Sequence, residues 1–577
     1  MEKKVLALSL IVIIFIAFSI TGLILYFLLS ERDEEVTLVF GTMYGPVDLD
    51  PQVAWDSASI NVIDQVCEGL FAYNLSDPEM AIIPNLALSG TWNSVGTNFT
   101  CILRQGVIFH DGATFDADAV LFTWDRMAWC LNTTGTNTVE VTQVAELYEF
   151  PNGTPIVKNV IKNGDHSVTF ELNSPYIPFE ALLCFSASYI LSPLSTPANA
   201  YIDTATGDII GTGPFVYDNF EVIPHSYYFE GVEVTMHAFD AYWKGRSQID
   251  KLIFSIITDS NTRNQALING DIDYLSDPMD SILGVFNTTE GIDLVFGGTS
   301  LVTQYLVMNN QQINVTVREA ISYAIDYDYL IDVLREGNAV RMESPVPKGI
   351  RYANWTFDVP VLNLSRARSV MQSMGYGIGW NVTPGSLDES NWQTATFLTF
   401  NYTYNVASGF REEFMVLLQD NLPKIGIVVE NTGMTSTEFF YRIYEVNGRT
   451  RNMLQLYWIG WGPDYNDPSN FINLLFTNRS VAYNGAQYNG YQAAIEAGRD
   501  PLALWDNVQL LMEAGLSEPD PVAREAIYDR IQELLIEHDR PWVWGYVSKI
   551  HRAWVSNLEG MPVNSIGKEY FYPCYFT

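Results

Sequence analysis

The sequence is poor in cysteine, histidine and positive charge. Its 577 residues include five Cys and six His, and 31 Lys and Arg stand against 67 Asp and Glu, a formal net charge of −36. Cys67, Cys101, Cys130, Cys184 and Cys574 form no CxxC pair and no Cys/His cluster, which argues against structural zinc. Their odd number leaves at least one thiol without an intrachain partner, although a disulfide is permitted outside the cytoplasm. No two His stand at i, i+3 or i, i+4, so no helical metal site is indicated. No GxSxG elbow and no GxxxxGK[S/T] phosphate loop occurs. A chain this acidic, with no basic stripe, repels nucleic acid and anionic lipid surfaces. The expectation is therefore no metal, no cofactor and no nucleic-acid partner.

What is present is length, apolar mass and aromatic rings. Hydrophobic residues make up 48% and aromatics 13%, enough for more than one core; domains usually run to about 100–200 residues. Residues 5–29, "VLALSLIVIIFIAFSITGLILYFLL", are almost unbroken apolar. As a helix rising about 1.5 Å per residue, such a run spans a bilayer core. Lys3 and Lys4 precede it and "ERDEE" follows, so the positive-inside rule places the remainder outside the cytoplasm. The run is longer than a cleaved signal's core and lacks a small-residue cleavage site; an uncleaved membrane anchor is expected. Eleven Asn-x-Ser/Thr triplets, beginning at Asn74, Asn98, Asn132, Asn152, Asn287, Asn314, Asn354, Asn363, Asn381, Asn401 and Asn478, fit a glycosylated surface protein.

Along the exterior, strand and helix patterns alternate. "EVTLVFG" reads as a strand and "SINVIDQVCEGLF" as a helix ending near Gly69. Asp116 is placed to cap a helix after the Asp111-Gly112 turn. "VTVREAISYAIDYDYLIDVL" reads as one long amphipathic helix, and "MLQLYWIGW" as a buried strand. This alternation predicts an α/β protein with largely parallel sheets, whose ligands collect beyond the carboxyl ends of strands. The loop "WIGWGPDYNDPSNF" (Trp458 to Phe471) occupies that position and sets carboxylates beside tryptophans. It is either a capped turn or a socket for a cation. Asp464 and Asp467 also form a glycosidase-like carboxylate pair.

Ordered segments then carry a resemblance. "DLDPQVAWDSASINVIDQVCEGLFAYN", "LRQGVIFHDGATFDADAVLFTWDR", "GTGPF", "YWKG", "QALINGDIDY", "VREAISYAID", "GNAVRMESPVPKG", "KIGIVVE" and "WIGWGPDYNDPSNF" together resemble the extracytoplasmic solute-binding proteins of peptide-type ABC transporters, the dipeptide/oligopeptide-binding family, solute-binding family 5. The resemblance implies an α/β, two-lobed periplasmic-binding-protein-like fold with a hinge, mixed/parallel sheets, an extra inserted domain in the first lobe and, here, an N-terminal transmembrane helix. Residues 5–29 would be the transmembrane anchor or signal segment, 36–57 plus 190–300 plus 540–577 the first lobe, 58–189 the insert, and 301–539 the second lobe.

The resemblance further implies a monomeric receptor on the outer face of the cell membrane. It would do no chemistry, and would pass oligopeptides to ABC permease subunits. Asp464 matches the Asp that pairs with a peptide's α-ammonium group in relatives. Trp461 and Tyr465 would wall the site, with Tyr44, Trp55, Tyr305 and Asn309 as further cleft candidates. One departure concerns the Arg that holds the peptide carboxylate in some relatives: the nearest here is Arg411, whose "REEF" context predicts a solvent-facing helix start. An oligosaccharide stacked on aromatic rings remains the alternative solute, a secreted glycoside hydrolase the remote one, and nickel is disfavoured by the scattered His.

Overall fold

The structure, a computed structural model, describes residues 35–133, 135–139, 143–204, 208–222, 231–406, 408–435, 438–439, 442–443, 454–478 and 484–577. The apolar run at 5–29 lies outside the described residues, among which no helix is long and apolar enough to cross a membrane.

β-Branched and aromatic residues after Val36 form the strand Thr37–Thr42, which runs parallel to Lys251–Ile256 on one side and to Tyr274–Leu275 on the other. Gly231–Ala238 and Phe215–Val222 continue this end antiparallel. At the far end, Leu398–Asn405 lies parallel between Ile427–Met434 and Leu456–Trp461. Two long antiparallel strands, Ile292–Met308 and Trp542–Val555, join the ends into one eleven-stranded sheet. The sheet is therefore mixed rather than largely parallel. Its parallel pairs sit in the two lobes, and its antiparallel centre follows from one strand running out of the first lobe and the other returning.

The register of these central strands shifts between Phe296 and Thr299, between Thr299 and Thr303, and between Gln304 and Tyr305. Such bulges bend a strand pair and deepen its twist, so the bend between lobes falls between Phe296 and Tyr305, around the expected boundary at residues 300 and 301. The first lobe packs Leu38, Phe40, Phe254, Tyr274 and Phe571 into one core. The second packs Leu306, Trp458 and Tyr402 against helices Val315–Ala324 and Gly409–Asn421.

A separate antiparallel sheet, ordered Ala87–Trp92, Asn98–Leu103, Ser167–Leu172, Val157–Gly164, lies within the expected insert. The helix Ala117–Cys130 accompanies it, with the Asp116 carboxylate accepting the Asp118 and Ala119 amides as its cap. The insert's core runs without a break into the other face of the second lobe's sheet. Tyr73, Tyr176 and Phe179 share it with Tyr465, Phe471, Leu511 and Trp542. Each large apolar side chain so buried contributes about 1.5–3 kcal/mol.

Two local expectations fail for identifiable reasons. The helix near Gly69 stops at Val66; Gly69 instead marks a close approach, since a Cβ there would sit 2.8 Å from the Leu183 carbonyl oxygen. The long amphipathic helix breaks after Ala324 and resumes as a wide turn over Tyr329–Leu334. Asp326 takes the Tyr329 amide at 2.9 Å and Tyr327 Oη donates to the Ser322 carbonyl at 2.8 Å, so local side chains end one helix and start the next.

Candidate functional site

The strand Leu456–Trp461 ends in the Gly462–Pro463 pair, and the chain turns through Asp464 into helix Pro468–Phe476. Asp467 is the helix cap, its Oδ1 accepting the Ser469 amide at 2.9 Å. Both of its oxygens also take the Arg524 guanidinium, at 2.8 and 2.9 Å. Asp467 is thus committed to structure, and a pair of free carboxylates is not present in this loop.

Asp464 is held differently. Asn470, fully buried on the helix, donates from Nδ2 to Asp464 Oδ2 at 2.7 Å. Its Oδ1 accepts the Asp464 amide at 3.1 Å and the Trp461 indole N–H at 3.2 Å. One side chain therefore fixes both the carboxylate and the neighbouring ring. Among the described residues no Lys, Arg or His forms an ion pair with Asp464. Burial pushes its carboxyl from the ordinary 3.8 up to about 7, against the downward pull of the Asn470 hydrogen bond.

Rings close around this loop. Trp461 lies 6.1 Å from Trp55 between centroids, and Trp55 lies 6.3 Å from Phe185. Tyr465 is buried, its hydroxyl 3.2 Å from Ser469 Oγ and 3.3 Å from Tyr176 Oη of the insert. Tyr148, also of the insert, bonds Ser188 Oγ at 2.7 Å and lies within electrostatic reach of Asp464.

Of the sequence candidates, Asp464, Trp461, Tyr465 and Trp55 come together. Tyr305 stacks on Trp542 at 3.5 Å, and both line a cavity with Tyr457, Gly460, Trp461 and Gly485. Asn309 is buried at the opposite end of the strand pair. Its Nδ2 donates to the Leu454 carbonyl at 3.1 Å and its Oδ1 takes the Gln311 amide at 3.1 Å, so it shapes a turn. Tyr44 is 57% exposed, and no described hydrogen bond or ring contact joins it to the Asp464 group. Arg411 does begin a helix, but its guanidinium turns back to the Asn405 side chain and over the Phe439 ring at 4.9 Å rather than out to water. A second cavity, of about 170 Å³, lies in the insert between Trp124, Met127, Leu131, Tyr148 and Val157; none of the sequence candidates lines it.

Sequence reasoning missed Asn470, Tyr148, Tyr176 and Phe185. Asn470 alone left a local signal, an amide three residues after a helix-capping Asp on the face that looks back at the loop.

The family model described as "Bacterial extracellular solute-binding proteins, family 5 Middle" matches residues 81–483. The glutathione-binding protein GsiB of Salmonella paratyphi A is 25% identical over 537 residues, 91% of each chain. DppA from Helicobacter pylori, solved with the peptide STSA, superimposes with a TM-score of 0.75 at 22% identity, covering 94% of this chain and 98% of that one. A dipeptide-binding protein from Pseudoalteromonas sp. SM9913, solved with Met-Leu, gives a TM-score of 0.75 at 21% identity, covering 94% and 100%.

Proposed function

Because the chain belongs to the family 5 extracellular solute-binding proteins of bacteria, we propose that it captures short peptides between its lobes and hands them, chemically unchanged, to an ABC-type permease. The observation that carries this reading is the Asp464 carboxylate: largely withdrawn from water, fixed by Asn470, and without a cationic partner among the described residues. A largely desolvated carboxylate in that condition is costly until something positive reaches it. A peptide's α-ammonium group supplies the charge, and Trp461, Tyr465 and Trp55 keep water out around it. The peptides bound by DppA and by the Pseudoalteromonas protein, and the glutathione in GsiB's name, support a ligand of this class.

With Asp467 spent on Arg524, the loop offers one carboxylate for recognition and no second one for acid–base hydrolysis. In this reading the apolar run at 5–29 tethers the receptor to the outer face of the membrane, beside the permease.

Calorimetry and thermal shift with peptides of graded length test the proposal. Free-amine peptides raise the midpoint as RT ln(1 + [L]/Kd) requires, N-acetylated ones do so weakly, and Asp464→Asn abolishes the difference between them. Binding of oligosaccharides but not peptides, independent of Asp464, overturns it.

A further inference from the structure

The loop that carries Asp464 is clasped by the insert through neutral contacts. The Asn466 amide donates to Tyr73 Oη at 2.8 Å, and the Tyr465 and Tyr176 hydroxyls meet at 3.3 Å. Nearby, the Ile177 amide donates to the Leu516 carbonyl at 2.8 Å, and Trp55 packs on Trp461. None of these contacts uses Asp464, and none needs a ligand. By themselves they would seal the cleft empty, which a transport receptor must avoid.

What opposes an empty seal is the Asp464 charge. In an open cleft its carboxylate meets water; once the insert is seated, only Asn470 donates to it from a side chain. The titratable groups facing it supply no compensation. Tyr465, on its own loop, and Tyr148, on the insert, are phenols that burial holds neutral. Asp467, next along, is cancelled by Arg524.

We propose that Asp464 gates closure: the insert and the loop lock together only when this carboxylate is neutralised, and a proton can take the place of the ligand's cation. The proposal deepens the peptide-receptor reading and rests on it. Its consequence is a receptor that stays open when empty in neutral to alkaline surroundings and closes empty in acidic ones, so that proton and peptide compete for one oxygen. Burial lifting the Asp464 carboxyl from 3.8 to about 7 sets the window in which this occurs. Within it, the closed-to-open ratio of the empty protein changes about tenfold per pH unit.

Two exposed positions, Val95 on the insert and Leu387 on the second lobe, allow the gate to be read by energy transfer between dyes on Val95→Cys and Leu387→Cys in the full chain without peptide. The closed-to-open ratio is expected to rise about tenfold per unit as pH falls below 7. Asp464→Asn is expected to be closed, and indifferent to pH, throughout. Tyr73→Phe, which removes the acceptor of the Asn466 amide, is expected to lower the closed fraction at every pH while keeping the slope. A distance distribution that does not move with pH overturns the gate, as does a slope that survives in Asp464→Asn. Calorimetry on the same variants separates this failure from that of the parent reading. Loss of peptide affinity in Asp464→Asn without a pH-dependent distance sinks the gate alone. Unchanged affinity in Asp464→Asn sinks the peptide-receptor reading.

Discussion

Asn470 grips Asp464 twice, giving a hydrogen bond to its carboxylate at 2.7 Å and taking one from its amide at 3.1 Å. The same carbonyl oxygen accepts the Trp461 indole N–H at 3.2 Å, so three groups of the proposed site depend on one buried amide. Asn470→Ala is expected to cost about 1–3 kcal/mol of stability, because it strands buried polar groups rather than merely deleting a contact. It is also expected to raise the Asp464 carboxyl further, since the lost hydrogen bond favours the charged form. Urea denaturation reads the first effect. Peptide titrations against pH read the second, as a binding optimum displaced to higher pH.

The pH profile of peptide affinity follows from two titrations. Burial pushes the Asp464 carboxyl up to about 7, and a peptide α-amino group loses its proton at about 7.7–8. Affinity should climb as pH rises toward neutrality, then fall once the ammonium deprotonates, a narrow bell with its top at mildly alkaline pH. Stability of the empty protein runs the other way. The folded state holds this proton more tightly than the unfolded chain does, so the group's stabilising contribution is complete below 3.8 and lost as pH rises through about 7. Calorimetry in buffers of different ionisation enthalpy would count the proton released on binding below neutrality. A count of zero there contradicts the assignment of Asp464.

How much of this was legible in the sequence depends on the distance over which residues cooperate. The Asp116 cap and the Asp464 loop are set by neighbours a few positions away, and both are readable from turn and capping chemistry. The clasp around Asp464 is not, because Asn466 and Tyr73 are 393 positions apart and Tyr465 and Tyr176 are 289 apart. Aromatic residues with no periodic signature gave no hint of meeting there. The length of Ile292–Met308 was hidden for the same reason: "DLVFGGTSLV" becomes a strand by pairing with Trp542–Val555 across the whole second lobe. Asn309 is a cleft candidate by its place on the segment that crosses between lobes, and Tyr44 by its place just after the first strand. Their neighbours show a turn in one case and open surface in the other.

The Arg524–Asp467 pair supports the loop from behind. Both side chains are nearly inaccessible, and Arg524 Nε also donates to the Gly515 carbonyl at 2.8 Å. Arg524→Met should destabilise the protein by about 3–5 kcal/mol, because it leaves an uncompensated buried carboxylate. Adding Asp467→Ser, which keeps a capping oxygen without the charge, should recover much of that loss. A double-mutant cycle in denaturant measures the coupling. Purely additive losses would show that the pair contributes packing alone.

Cysteine chemistry supplies the last prediction. All five thiols are free and buried, although a disulfide is permitted outside the cytoplasm. Burial pushes the Cys130 and Cys574 thiols up to about 12, and Cys130 Sγ is further occupied by Gln52 Oε1 at 3.6 Å. The thiolate is the reactive form, so at pH 8 a group of that acidity is ionised in only about one molecule in ten thousand. Native protein should therefore resist an alkylating reagent that labels all five positions in denaturant, and a reductant should leave the melting temperature unchanged. Intact mass spectrometry counts the labels, and thermal scans with and without reductant check the second half. A native count above zero would mean that one of the buried thiols is reached by local opening, and the labelled position would show which core opens first.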